Sequence, residues 1–306
     1  MRVNFILLAP AFSQALAPQD RQEIPFLGGH DAYRPGVFRQ SSADESPIDI
    51  SEITYSGLNT FAGVAHAQCF RKSHDENDAA QYDIAVLGAP LDTTVTGRPG
   101  ARYGPAAIRT GSSRKAWGFD FYTGRNPLKS WAKIVDCGDA PLTWLDNRAA
   151  IKTLDQAHRL TANQLPADAS RSRVPRIVTL GGDHTTTLSA LRGTHANWGQ
   201  VSVVHFDSHI DTWDPEVLAN SGTRWRYIRL CVRCHLPHGS SKLTLPDRSV
   251  NHGTFLHIAH EEGLIRNSSM HVGIRASLNR PEGDMKNDRR CGFGTITARD
   301  LDTHGI

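Results

Sequence analysis

Short apolar runs separated by polar loops define the elements that the chain predicts. The runs at residues 82–88, 176–180 and 201–206 are too short for core helices, and they predict buried strands. Two glycines follow the second run, and the apolar spacing of residues 185–192 after them predicts a helix. In open parallel sheets, ligands bind where a strand ends and a helix begins. The polar residues at these strand ends are therefore the first candidates for function.

Residue types that bind metals follow the last two strands. Asp207, His209 and Asp211 come directly after the run 201–206, and side chains at i, i+2 and i+4 of a strand share one face. His184 follows the paired glycines, which let the backbone turn without a Cβ clash. If the two strands are neighbours, these four side chains lie together. Taken alone, Asp-x-His-x-Asp has an alternative interpretation as a strand end that turns into solvent.

The chemistry of these four side chains favours a hard divalent ion. Carboxylate oxygens and imidazole nitrogens together suit Mn²⁺ or a similar ion. No cysteine stands among them, which argues against a structural zinc site. The sequence therefore predicts a manganese-type centre at the carboxyl edge of a parallel sheet.

Several further motifs accompany these residues in a fixed order. Upstream are residues 88–92 and 98–109, and downstream are residues 252–255 and 270–275. With the motifs around His184 and Asp207, they resemble the ureohydrolase family, which includes arginases, agmatinases and guanidinobutyrases. The agmatinase-like branch is the most similar. The resemblance covers roughly residues 82–218 and 251–305.

The resemblance implies a fold and a metal site. The family has an α/β, three-layer α/β/α fold with a parallel sheet and two Mn²⁺ ions at the carboxyl edge of that sheet. By resemblance, His184, Asp207 and Asp211 bind one ion. His209 binds the other ion, and Asp207 is shared between the two.

The resemblance also implies a reaction. Two adjacent dications make hydroxide available near neutral pH, and this bridging hydroxide attacks the guanidinium carbon of a small guanidino substrate. Agmatine, which gives putrescine and urea, is the expected substrate. His252 matches the histidine that passes a proton to the departing amine. The alternative for His252 is a loop histidine that caps the next helix.

The chain departs from the family pattern at its C-terminal end. It stops at Ile306, before the later Asp-x-Asp pair that completes the family's metal site, so four of six expected ligands are present. We therefore expect an incomplete domain that lacks its C-terminal strands and helices and exposes apolar sheet surface. Asp300 and Asp302 are interpreted as a helix start rather than as substitute ligands. The alternative function is thus a catalytically inactive fragment or gene-model product, which folds poorly and has negligible activity.

A second departure lies inside the match, at about residues 219–250. This basic segment does not resemble the family, and translated intron sequence or a lid loop are the two interpretations. It contains Cys231-Val-Arg-Cys234-His235, a spacing that suits haem attachment or zinc but that has no supporting motif around it. The other cysteines, Cys69, Cys137 and Cys291, are scattered, which predicts ordinary thiols rather than a disulfide framework.

Composition and the N-terminal residues predict the domain organisation, the partners and the location of the protein. At 306 residues the chain can hold one large α/β domain, placed at residues 81–306. The net charge of +3 comes without an extended basic stripe, so no nucleic-acid partner is expected. Residues 1–17 resemble a secretory signal, too short to span a membrane, and 18–80 form an N-terminal extension. A secreted protein is thus expected, with a cytoplasmic one as the alternative. A small guanidino substrate and homo-oligomer partners are compatible with the family.

Overall fold

The computed structural model describes residues 57–71, 80–115, 118–218 and 250–305. The expectations for the signal segment 1–17 and for the cysteine-containing part of the insertion lie outside these residues. The part described contains seven strands and seven α-helices, which alternate along the chain except that the second strand follows the first and the fifth helix follows the fourth. None of these helices is long and apolar enough to cross a membrane.

The strands form two parallel sheets. The first sheet has the order β1-β3-β2-β4, and the second has the order β5-β6-β7. The strands are β1 (Ala65–His66), β2 (Ile84–Ala89), β3 (Ile134–Asp139), β4 (Arg176–Gly181), β5 (Val204–Phe206), β6 (Ser269–Ile274) and β7 (Phe293–Thr297). The three strands predicted from apolar runs correspond to β2, β4 and β5, although β5 begins at Val204 rather than Val201.

The helices connect these strands and cover them. They are α1 (Gly104–Ser112), α2 (Asn147–Ala162), α3 (Thr186–Trp198), α4 (Pro215–Leu218), α5 (Phe255–Glu261), α6 (Pro281–Arg290) and α7 (Ala298–His304). The helix predicted after the paired glycines is α3. Helix α7 begins with a capping box in which Thr297 and Asp300 satisfy each other's backbone N–H groups. This confirms that Asp300 belongs to a helix start.

Both faces of the first sheet are covered, as the three-layer prediction requires. Ala85, Leu87 and Ala89 pack in one core cluster with residues of α2. On the opposite face, a Cβ placed on Gly88 would meet the Asp139 carboxylate and lie 3.1 Å from the Arg109 guanidinium of α1. A second core cluster joins α3 and α5 to β7. The predicted α/β/α architecture with parallel strands is confirmed.

An ion group lies on β3, with a buried Arg109–Asp136 pair and the more exposed carboxylate of Asp139 at the end of the strand. Arg109 donates from Nε and Nη2 to the two oxygens of Asp136, at 2.8 and 3.0 Å. Its Nη1 donates to Asp139 at 2.5 Å. The backbone N–H groups of Phe61 and Gly138 add two hydrogen bonds to Asp136. Each oxygen of Asp136 is therefore satisfied, as a buried charge requires.

The prediction that Cys69 and Cys137 are unpaired thiols is wrong. The two residues form a disulfide with a Cα–Cα distance of 5.4 Å across a separation of 68 residues. The physical reason is the parallel pairing of β1 with β3, which aligns His66 with Asp136 and so brings the two cysteines to the same place. Spacing along the chain carries no sign of that pairing. Among the cysteines that the structure describes, Cys291 is a free, buried thiol, as predicted.

Candidate metal centre

The turn after β4 places His184 by a close backbone approach. Gly182 N–H donates to the carbonyl of Ala89 at 2.9 Å, and Asp183 N–H donates to the carbonyl of Leu91 at 2.6 Å. A Cβ on Gly182 would lie 2.0 Å from the Leu91 oxygen, which is sterically impossible without backbone movement. The predicted need for glycine here is confirmed, and its cause is this crossing of two backbone segments.

Asp183 anchors the turn. Its buried carboxylate accepts from the Thr94 hydroxyl at 2.6 Å and from the Thr185 backbone N–H at 2.9 Å. The bond to Thr94 ties the loop after β2 to the residue that precedes His184. The imidazole of His184 is thus held from one side by the backbone and from the other by its ring contact with Phe255, at 4.6 Å between centroids.

The loop after β5 carries the carboxylates. The strand ends at Phe206, so Asp207, His209 and Asp211 lie in the loop and do not follow strand alternation. Asp211 has a positive φ of 50°, a conformation that Asp tolerates better than most residues. Its carbonyl accepts from Leu256 N–H of α5 at 3.2 Å. This reversal turns the Asp211 side chain inward, where it is buried.

Three of the four predicted metal ligands meet at one point. Nδ1 of His184 lies 3.1 Å from Oδ2 of Asp207 and 2.9 Å from Oδ2 of Asp211. Two ligands at right angles on an octahedral ion with bonds of about 2.1 Å lie about 3 Å apart. The spacing of these donor atoms therefore fits a hard divalent ion, and so does the mixture of carboxylate and imidazole.

A fourth donor in this group was not predicted. His205 is 5 % exposed, and its Nε2 lies 3.8 Å from Asp207 Oδ2 and 3.7 Å from Asp211 Oδ2. One donor atom each of His184, His205, Asp207 and Asp211 lies within 4.8 Å of the others. The missed signal was the position of His205 two residues before Asp207, on the inward face of β5.

His209 stands apart from this group. Its side chain is about half exposed, and its Nδ1 lies 3.3 Å from Oδ1 of Asp207, the oxygen that faces away from His184. The backbone N–H of His209 also donates to this oxygen, at 2.9 Å. Asp207 therefore presents one oxygen to the group around His184 and the other to His209.

His252 contacts the loop after β2, although it lies far from that loop in the sequence. Its Nδ1 donates to the carbonyl of Thr94 at 2.8 Å, and the Thr94 hydroxyl binds Asp183, the neighbour of His184. The next helix, α5, has Thr254 at its N-cap position and no side-chain capping bond. The capping alternative for His252 therefore does not apply in this structure.

The protonation of the group follows from burial and from its mixed charges. Burial disfavours charge on His184, but Asp211 and Asp207 outweigh this effect and raise its pKa. Burial raises the pKa of Asp211, whereas that of Asp207 is lowered because hydrogen bonds and nearby imidazoles outweigh its burial. Burial, together with repulsion from His184 and His271, lowers the pKa of His205 to about 3. His205 is therefore neutral at physiological pH.

Fold and site together define a class of protein. The fold is a parallel α/β/α domain. Histidines and aspartates meet at the carboxyl ends of β4 and β5, and such a cluster is typical of a site for a divalent metal ion. The Arginase family matches residues 82–306, and the chain belongs to that family.

Individual relatives agree with this assignment. The chain is 40% identical over 294 residues to the protein named "Putative agmatinase 1" of Schizosaccharomyces pombe, covering 89% of this chain and 67% of that one. It is 32% identical to the agmatinase of Citrobacter koseri, covering 73% of this chain and 58% of that one. The chain therefore spans between about half and two thirds of the length of such curated relatives.

Solved structures share the fold. Proclavaminate amidino hydrolase from Streptomyces clavuligerus aligns with a TM-score of 0.60 at 27% identity, covering 83% of this chain and 68% of that one. A hypothetical agmatinase from Burkholderia thailandensis aligns with a TM-score of 0.57 at 26% identity, covering 88% of this chain and 67% of that one. Both structures therefore have the same fold as this chain.

Proposed function

We propose that this protein carries out Mn²⁺-dependent hydrolysis of a small guanidino compound, with agmatine as the first candidate substrate. The single observation that carries the proposal is the convergence of His184, Asp207 and Asp211 at 2.9–3.1 Å beyond the strand ends. Arginase-family membership supports the reaction type. The relatives named as agmatinases support the choice of substrate.

His184, Asp207 and Asp211 would hold one ion, and His209 with the second oxygen of Asp207 would contribute to another. The two oxygens of Asp207 face different histidines, which is the arrangement that a shared carboxylate needs. With neutral imidazoles these side chains carry the charge of two carboxylates, which suits divalent cations. When bound, such paired ions supply hydroxide near neutral pH for attack on the guanidinium carbon.

His252 would move the proton that the departing amine requires. Because its Nδ1–H donates to the Thr94 carbonyl at 2.8 Å, its Nε2 is left with a free lone pair. A neutral imidazole held in this tautomer can take up a proton at Nε2 and then give it to the leaving nitrogen. Thr94, which also binds Asp183, would keep this imidazole in register with His184.

The experiment is a urea-release assay on the purified chain with Mn²⁺. We expect urea and putrescine in equal amounts from agmatine, and a slower reaction or none from arginine and guanidinobutyrate. In Asp211→Asn, one charged ligand is lost, so both Mn²⁺ binding in titration calorimetry and urea release should be abolished. In His252→Asn, the amide still donates to Thr94 but Nε2 is gone. There kcat should fall by roughly 10²–10⁴ while Mn²⁺ binding is kept.

The matched control is Asp300→Asn, which changes the carboxylate that was considered as a substitute ligand. It lies in the capping box of α7, where an amide oxygen can still accept from Thr297, so we expect unchanged metal binding and activity. Mn²⁺ binding without any urea release from the tested substrates would favour the inactive-fragment alternative.

A further inference from the structure

Three buried side chains extend inward from the metal group through the second sheet. Nδ1 of His205 lies 2.8 Å from Nδ1 of His271, and Nε2 of His271 lies 2.9 Å from Oδ1 of Asp288 in α6. His271 and Asp288 are fully buried. His271 lies on β6 in register with His205 on β5, and it stacks on Phe293 of β7 at 4.1 Å. This row is therefore built by the pairing of the three strands.

The hydrogen bonds determine which nitrogens carry protons. A buried carboxylate is only an acceptor, so His271 donates to Asp288 through Nε2–H. The Thr212 hydroxyl donates to the same oxygen of Asp288 at 2.5 Å. In the tautomer of His271 that keeps its proton on Nε2, Nδ1 is the acceptor, so His205 donates to it through its own Nδ1–H. His205 is consequently left with a lone pair at Nε2.

That lone pair faces the group of donors described above. Nε2 of His205 is buried and has no hydrogen-bond partner among the described residues. An unpaired buried polar atom is costly, and its distances of 3.7–3.8 Å to the Asp207 and Asp211 oxygens are too long for hydrogen bonds. One donor atom each of His205, His184, Asp207 and Asp211 lies within 4.8 Å of the others, which is close enough for all four to bind one ion.

The geometry points to His205 as an additional metal ligand, held in the binding tautomer by His271 and Asp288. The first ion then has two imidazoles and two carboxylates, from His184, His205, Asp207 and Asp211. His271 and Asp288 are positioning residues, because they reach the ion only through His205. This inference rests on the proposed metal-dependent function, but it concerns metal binding and not turnover.

The test measures Mn²⁺ binding directly, on the full chain. His205→Asn keeps an amide donor toward His271 and removes the atom at the Nε2 position. We expect at least about tenfold weaker Mn²⁺ binding in titration calorimetry. With ¹⁵N-labelled histidine and less than one equivalent of Mn²⁺, electron spin-echo spectroscopy should show one fewer directly bound histidine nitrogen. The control is His158→Asn, which makes the same change at a buried histidine of α2 outside the site.

A second pair of variants tests the positioning role and still decides the matter if His205→Asn does not fold. His271→Phe keeps the stacking on Phe293 but removes the acceptor for His205, whereas His271→Asn offers an amide oxygen in its place. Both substitutions remove the hydrogen bond from His271 to Asp288, so the loss of stability from that bond is the same in the two variants. We expect weaker Mn²⁺ binding in His271→Phe, by about tenfold or more, and recovery in His271→Asn.

The outcomes separate this inference from the proposed function. If the unmodified chain binds Mn²⁺ and His205→Asn binds it with the same affinity and the same nitrogen count, His205 is a packed core histidine and the inference is overturned. Equal Mn²⁺ affinity in both His271 variants would overturn the positioning role. If the unmodified chain binds no Mn²⁺, the proposed function itself fails, and this inference fails with it.

Discussion

Two polar groups with buried carboxylates lie on strands of this protein or just beyond them, and they have different roles. At β3, Arg109 closes on Asp136 and Asp139 with three charge-assisted hydrogen bonds. Beyond β5, two aspartates meet two imidazoles, and Nε2 of His205 is left without a partner among the described residues. A guanidinium has donors only, whereas an imidazole can present a lone pair. Carboxylates beside arginine therefore form a closed structural group, and carboxylates beside histidine form one that can accept a metal.

The largest expected effect comes from opening the closed group. Arg109→Met leaves the fully buried Asp136 carboxylate without its cation, which should destabilise the fold by about 3–5 kcal/mol. Chemical denaturation monitored by circular dichroism measures this change. Mn²⁺ affinity of the folded fraction should stay unchanged, because the arginine does not contact the metal group.

The control for Arg109→Met is Arg171→Met, which removes the arginine of an ion pair in which both side chains are substantially exposed. This change should cost less than about 1 kcal/mol. Equal effects of the two substitutions would show that the Arg109 group is not a structural anchor.

The next largest effect is the loss of stability when the Cys69–Cys137 disulfide, beside the Arg109 group, is removed. Cys137 is the neighbour of Asp136, and its bond to Cys69 closes a loop with a sequence separation of 68 residues. Loss of this constraint in Cys137→Ala should destabilise the fold by about 2–4 kcal/mol. Non-reducing peptide mapping should find the Cys69–Cys137 linkage in the unmodified protein. The matched control is Cys291→Ala, which removes a buried thiol that forms no disulfide. If the unmodified protein has the same stability with and without reductant, the expectation is contradicted.

The smallest expected effect is a pH dependence of Mn²⁺ affinity, which arises in the group of histidines and aspartates and not in the Arg109 group. Asp211 and Asp207 outweigh burial and raise the pKa of His184 above its ordinary value of 6.5. A protonated imidazole cannot bind a metal, so Mn²⁺ affinity should increase with pH up to this raised pKa, by at most about tenfold per pH unit for one proton. Calorimetric titrations across this range, compared with His184→Asn, measure it.

The sign for stability is opposite to the sign for metal binding. In the metal-free protein, the stability that His184 contributes is fully present below its unfolded pKa of 6.5 and is lost as the pH rises through its raised folded pKa. The Arg109 group contains no histidine and should show no comparable change. A metal affinity that does not vary with pH would contradict the role of His184 as a ligand.

Sequence and structure agree best where the chemistry is local. The strand runs, the helix after the paired glycines and the cap of α7 depend on residues within a few positions of each other. The paired glycines also predicted a turn at position 182 that avoids a Cβ clash. Only the structure shows that a Cβ there would clash with the carbonyl of Leu91. Agreement is poorer beyond Phe206, where the strand ends and the alternation of side chains no longer predicts direction.

The sequence by itself determined the kind of protein: parallel strands, carboxylates and imidazoles at their ends, and the motif order of the arginase family. Only the tertiary structure decided that His205 joins His184, Asp207 and Asp211 while His209 lies outside, and that Cys69 pairs with Cys137. The physical reason is range. Periodicity orients side chains within one element, whereas these contacts depend on how β1 pairs with β3, β5 with β6, and how the turn after β4 meets the loop after β5.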